Sequence, residues 1–240
     1  NLTKILFAVT ALAVGFSCTT DTTEDLSPAV KGGGFKLAIS LEESRTQLGE
    51  KADGVYPLHW SVGDKVAVNG VTSAEAQISA ANKAVATFVF DSELVRPYNL
   101  VYPAPAEGVT AVANGCYPVT FPASQSYTAG TFASGTAPMY GYAAAPAEGE
   151  EAAPIAIHHL SGILCLSVKG DKALTSMTVT AEGAIAGNFD VNCETGTLTA
   201  HEDAANTITL SFGEGLALGA EATPIYVAVP AGEHGIYTIT

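Results

Sequence analysis

Positive charge is scarce in this sequence. Over 240 residues, 10 Lys and Arg stand against 24 Asp and Glu, a formal net charge of −14. Nucleic-acid binding depends on neutralising phosphates with Lys and Arg, so nucleic acid is a poor partner. Anionic lipid surfaces would repel the chain, and an acidic surface is most simply a solubility device. Charge of either sign is sparse, at 14% of residues, against 48% hydrophobic residues. Low charge with abundant Gly, Ala, Thr and Val describes a globular chain that favours sheet over helix.

Cysteine is equally thin: Cys18, Cys116, Cys165 and Cys193, irregularly spaced and with no C-x-x-C. That excludes a zinc ribbon and a thioredoxin-like site, and it is no disulfide framework. Buried free thiols are the expected state, with one bridge left open, and Cys165 is expected inside the sheet. No G-x-S-x-G, Walker loop, H-E-x-x-H or EF-hand pattern occurs, so no enzyme activity and no cofactor are expected. His158 and His159 are adjacent; in a strand they point to opposite faces and cannot chelate one ion together, which leaves a structural role and no metal. The acidic clusters at residues 148–151 (EGEE) and at Glu202 and Asp203 read as solvated loops.

No apolar run is long enough to cross a bilayer as a helix. Residues 5–15 (ILFAVTALAVG), behind Lys4, have the length of a signal-peptide core instead. Phe16, Ser17 and Cys18 follow, then the polar residues 19–25 (TTDTTED). A cysteine at that junction resembles a bacterial lipobox, although Phe16 stands where a small residue is usual. Residues 1–17 are read as a signal peptide. Cys18 is the expected lipidation site, and residues 18–34, ending in three glycines, form a flexible tether to the outer membrane.

Beyond the tether the pattern is short strands and turns. In residues 35–41, Phe35, Leu37, Ile39 and Leu41 share one face at period two, which predicts a half-buried strand. A polar loop carrying Arg45 and Thr46 follows. Residues 58–68 read as two short strands about a Gly63-Asp64 turn. Residues 77–90 read as a hairpin, with a short helix over 72–81 as the alternative. Strands are predicted at 98–103 and at 116–122, the latter at an edge because of its prolines. The clearest run is 154–169, predicted as one inner strand buried on both faces. Further alternating runs lie at 174–181, 206–212 and 225–230. Residues 145–154 (APAEGEEAAP) read as a hinge. The expected organisation is therefore all-β, with antiparallel β-sandwich domains at 35–147 and 152–240. The chain opens on Asn1 and closes on an alternating pattern at 236–240, which reads as a fragment with its last strands missing.

Taken in order, several landmarks resemble the fimbrillin family, the subunits and accessory proteins of type V pili. They are Cys18, residues 44–46 (SRT), 60–66 (WSVGDKV), 98–103 (YNLVYP), 139–142 (MYGY), 159–164 (HLSGIL) and 225–230 (IYVAVP). The resemblance implies two transthyretin-like antiparallel β-sandwich domains in tandem. It implies export as a surface-exposed outer-membrane lipoprotein bearing palmitate on Cys18. It implies proteolytic processing between Arg45 and Thr46, and then strand exchange with other pilus subunits at the place of Phe35, Leu37, Ile39 and Leu41. Members that polymerise also need a C-terminal donor region, and none is recognisable before residue 240. The expected role is a structural or adhesive subunit of a fimbrium, with a host glycan or protein as a further partner. The alternative is a surface glycan-binding lipoprotein, using Trp60 or the Tyr140 and Tyr142 pair as stacking platforms. An exposed patch of these aromatics would favour binding; their burial would favour the pilus.

Overall fold

The computed structural model describes residues 34–41, 59–105, 115–151 and 155–240. The signal peptide, Cys18 and all of the tether but Gly34 fall outside these residues, as do Arg45 and Thr46. The described residues contain strands and no helix. Where a helix over 72–81 was the alternative, the chain is extended.

Five sheets organise the described residues. The first comprises β1 (Phe35–Ser40), β4 (Gln77–Ile78) and β5 (Val85–Phe90) in the order β1-β5-β4. The second comprises β2 (Ala67–Val68), β3 (Val71–Thr72), β6 (Tyr98–Tyr102), β9 (Met139–Ala143) and β10 (Ala156–His159) in the order β10-β9-β6-β2-β3. In the third, β7 (Cys116–Phe121), β13 (Gly187–Asn192) and β14 (Leu198–Ala200) run β14-β13-β7. In the fourth, β8 (Ser124–Ser126), β12 (Ala173–Thr180), β15 (Thr207–Ala217) and β17 (Thr238–Ile239) run β17-β12-β15-β8. The fifth is a ladder of β11 (Ser161–Val168) and β16 (Thr223–Pro230). Every pairing is antiparallel except β8 with β15.

Pairing crosses the acidic stretch at 148–151 in both directions. Strand β10 lies beyond it and pairs with β9 before it; β7 and β8 lie before it and pair with β13 and β15. The sheets therefore do not divide where composition changes.

The run predicted as one strand over 154–169 is two strands in two sheets. They part at Leu160, which is 2% exposed and packs in a third core with Phe121, Phe189 and Val191. The Leu160 N–H donates to the Pro138 carbonyl, one step beyond the β10–β9 ladder, and its own carbonyl accepts from Ala231, one step beyond the β11–β16 ladder, so the residue hands the chain from one sheet to the other. Cys165 is exposed rather than buried. The β11–β16 ladder covers cores on its two faces only over part of its length, and the cysteine lies beyond that cover.

The tight turn between β2 and β3 is an Asn-Gly pair. Asn69 and Gly70 have φ of 51° and 80°, the left-handed pair that a two-residue hairpin needs. Asn69 also works beyond its turn: its side-chain amide donates to the Val95 and Pro97 carbonyls, and its oxygen accepts from the Asn99 N–H.

Candidate functional site: the first strand and its groove

Among the described residues strand β1 pairs only with β5, from Phe35 opposite Phe90 to Ser40 opposite Val85. Its side chains divide as the alternation predicts. Leu37, Ile39 and Leu41 are buried, Phe35 is half-buried, and Lys36 and Ala38 face solvent. The buried set fills a groove lined by Trp60, Phe88, Phe90, Leu100 and Tyr102. Phe35 closes its end, edge-on to Phe90 at 6.4 Å and to Tyr98 at 6.1 Å. Just before β1, Gly34 lies so close to the Phe90 carbonyl that a Cβ there would collide with backbone.

Polar contacts at the two ends of the strand are few. The Leu41 N–H donates to the Ala84 carbonyl at 2.9 Å, and the Trp60 indole N–H reaches the Ile39 carbonyl at 3.4 Å. The Ser40 hydroxyl is buried with no hydrogen-bond partner. Thus β1 is an edge strand held by one ladder and one apolar face. Its groove is built by the rest of the chain.

Trp60 belongs to this groove. It is 3% exposed and packs edge-on to Phe88 at 5.0 Å and Tyr102 at 5.6 Å. Tyr140 and Tyr142 lie elsewhere, half-buried on one face of β9, with Tyr140 against the His158 ring at 5.3 Å. The three aromatics do not form one exposed patch. His158 is exposed and His159 half-buried, and among the described residues no cluster of His, Cys, Asp or Glu is placed to hold a metal.

No family model matches the sequence, and no curated protein matches it. Among solved structures, the chain is similar to a "putative cell adhesion protein" from Bacteroides ovatus ATCC 8483, with 13% identity over 78% of this chain and 76% of that one, at a TM-score of 0.43. A likeness this distant assigns no function.

One ionisable group is built into the groove's wall. Asp64 is 8% exposed and closes the turn after Trp60. Its carboxylate accepts from the Ser61 N–H at 2.7 Å and from the Tyr102 hydroxyl at 2.8 Å. Burial raises its carboxyl above the usual range, and those two hydrogen bonds only partly offset the rise. Burial and the adjacent carboxylate push the Tyr102 phenol far up in turn. A cleft of about 430 Å³ opens beside the pair. With each group bonded to the other and the phenol held protonated, the pair locks a turn to β6.

The raised Asp64 carboxyl has a definite pH signature. The folded chain keeps this proton to higher pH than the unfolded chain, so the associated stability is present below the unfolded value of 3.8 and is lost as pH rises through the folded value. Asp64→Asn removes that loss. Thermal melts from pH 4 to 7 should show the variant gaining on wild type as pH rises; parallel curves would contradict the assignment.

The thiols separate by burial. Cys193 is buried, and burial first, then Cys116, pushes its thiol up to about 12. Its Sγ lies 3.6 Å from the Leu100 carbonyl. Cys165 is exposed. Maleimide labelling of the native protein, read by peptide mass, should modify Cys165 readily and Cys193 only in denaturant. Rapid native labelling of Cys193 would contradict the packing.

Proposed function

We propose that this chain is a structural or adhesive subunit of a cell-surface pilus, made of two transthyretin-like β-sandwich domains. It is exported as an outer-membrane lipoprotein on Cys18 and assembled by exchange of β1. It performs no catalysis and uses no cofactor. The observation that carries this reading is the construction of β1. An edge strand with a complete apolar face fills a groove it does not help to build, and Arg45 follows it in sequence by five residues.

Cleavage after Arg45 leaves β1 joined to the body by no peptide bond, and among the described residues by the β5 ladder and the groove. If that strand departs, the groove presents unpaired backbone groups of β5 together with apolar pockets. A strand of another subunit with the same alternation satisfies both, by β-augmentation. Burial of Trp60 counts against the sugar-platform alternative, because a buried ring offers no face to a ligand.

The test is N-terminal sequencing of the surface-assembled protein beside an Arg45→Ala variant, with electron microscopy of the same cells. The expected result is a new N-terminus at Thr46 in wild type, lost together with filaments in the variant. Filaments whose subunits still carry residues 35–41 covalently would overturn the proposal.

A further inference from the structure

Sheet edges invite further pairing, and this chain guards most of its own. Strands β3, β4 and β17 have two residues each, and β8 and β14 have three. Strand β7 carries Pro118, and β1 carries Lys36. The outer side of β16 is covered by a side chain. The Gln125 amide donates to the Ala228 carbonyl at 2.8 Å and accepts from the Ala228 N–H at 3.3 Å, taking the place of a neighbouring strand.

Strand β11 has none of these protections. It is eight residues long (SGILCLSV), without charge or proline, and among the described residues pairs only with β16. The register shows which backbone groups face outward. Pro224 and Pro230, which have no N–H, stand opposite Ser167 and Ser161, and Ala228, whose groups point away to Gln125, stands opposite Ile163. At this parity the backbone groups turn away from the partner strand. Ile163, Cys165 and Ser167 therefore direct N–H and C=O groups outward, and among the described residues these make no hydrogen bond.

We infer that the free edge of β11 pairs with β11 of a second copy, antiparallel about a two-fold axis through Cys165. In that register Cys165 faces Cys165 and Ile163 faces Ser167, and the three outward residues of each copy complete one ladder. The two-stranded ladder becomes four-stranded (β16-β11-β11-β16), past the size at which small sheets are marginal. A second copy fits because the edge is neutral in a chain of net charge −14, so pairing sets no carboxylate opposite a carboxylate. Repulsion between the rest of the two copies is long-range and is screened by salt. This dimer uses β11 alone and does not depend on the fate of β1.

The test is sedimentation velocity of the whole chain over a range of concentrations at low and physiological salt, with diamide as a cross-linking probe. Diamide takes two electrons and two protons from a pair of thiols, leaving a disulfide, and directly opposed residues with Cα atoms about 5.5 Å apart lie within disulfide reach. The expected result is a dimer strengthened by salt, with a Cys165–Cys165 link in the peptide map. Cys165→Ser should keep the dimer and lose the link. Cys165→Lys, at an exposed position, sets like charges opposite each other and should weaken the dimer by roughly tenfold. A chain that stays monomeric at every concentration and salt would overturn the inference, as would a dimer indifferent to Cys165→Lys. So would a Cys165 amide protected from hydrogen exchange in the monomer, since another segment would then cover the edge.

Discussion

Ile39→Asp is expected to remove β1 from its groove at a cost on the order of 4 kcal/mol or more. Ile39 is 2% exposed, at the centre of the strand's buried face. The change first forfeits the transfer energy of an aliphatic side chain and leaves a cavity, as any large-to-small core substitution does. It then places a carboxylate with no cationic partner against Phe88 and Trp60, where it must take up a proton or leave. A loss of this size is a large part of a typical domain's total stability of about 5–15 kcal/mol. Urea unfolding of the intact chain measures it. Ala38→Asp, one residue away on the solvent face, should change stability by only about 0.5 kcal/mol or less. Equal effects at the two positions would mean that β1 does not have the buried face described.

Trp60→Ala should cost about 3–5 kcal/mol, the range for deleting a large buried aromatic. The indole supports both sides of the groove. It packs edge-on against Phe88 and Tyr102, and its N–H reaches the Ile39 carbonyl of β1 at 3.4 Å. Alanine leaves a void in the groove and removes that donor. Trp60→Phe keeps part of the ring packing and should lose less. If Trp60→Ala instead unfolds at the wild-type urea midpoint, the residue is not the groove's centre.

Alternation made β1 legible, because a strand with one wet face records its own orientation in every second residue. Residues 85–90 and 206–212 were readable for the same reason. The division at Leu160 was not. Leu160 is apolar and continues the run, and only its packing beside Phe121 and Phe189, strands far away in sequence, tells that the chain changes sheets there. Cys165 was misplaced because alternation on both faces does not tell which part of a ladder outruns its cover. The Asn69-Gly70 hairpin was available, since that dipeptide between apolar residues is the strongest short-range turn signal. Longer-range features left no local trace. The pairings of β7 with β13 and of β8 with β15 join residues on opposite sides of the acidic stretch, and the Gln125 amide imitates a strand for a residue 103 positions away. Cys18, Arg45 and Thr46 rest on sequence alone.

The central claim is that β1 is an exchangeable part of the fold, and Trp60 offers a direct view of it. It is the sole tryptophan, and it contacts the strand through the Ile39 carbonyl. Purified chain is cut after Arg45 with an arginine-specific protease and mixed with excess isotope-labelled peptide of residues 34–45. Native mass spectrometry then follows the strand while Trp60 emission follows the groove. The account predicts that labelled peptide replaces the original strand in an intact body, and that dilution without peptide moves Trp60 emission to the red as the groove opens. A cut strand that neither leaves nor exchanges, with Trp60 emission unchanged while the body stays folded, would contradict it.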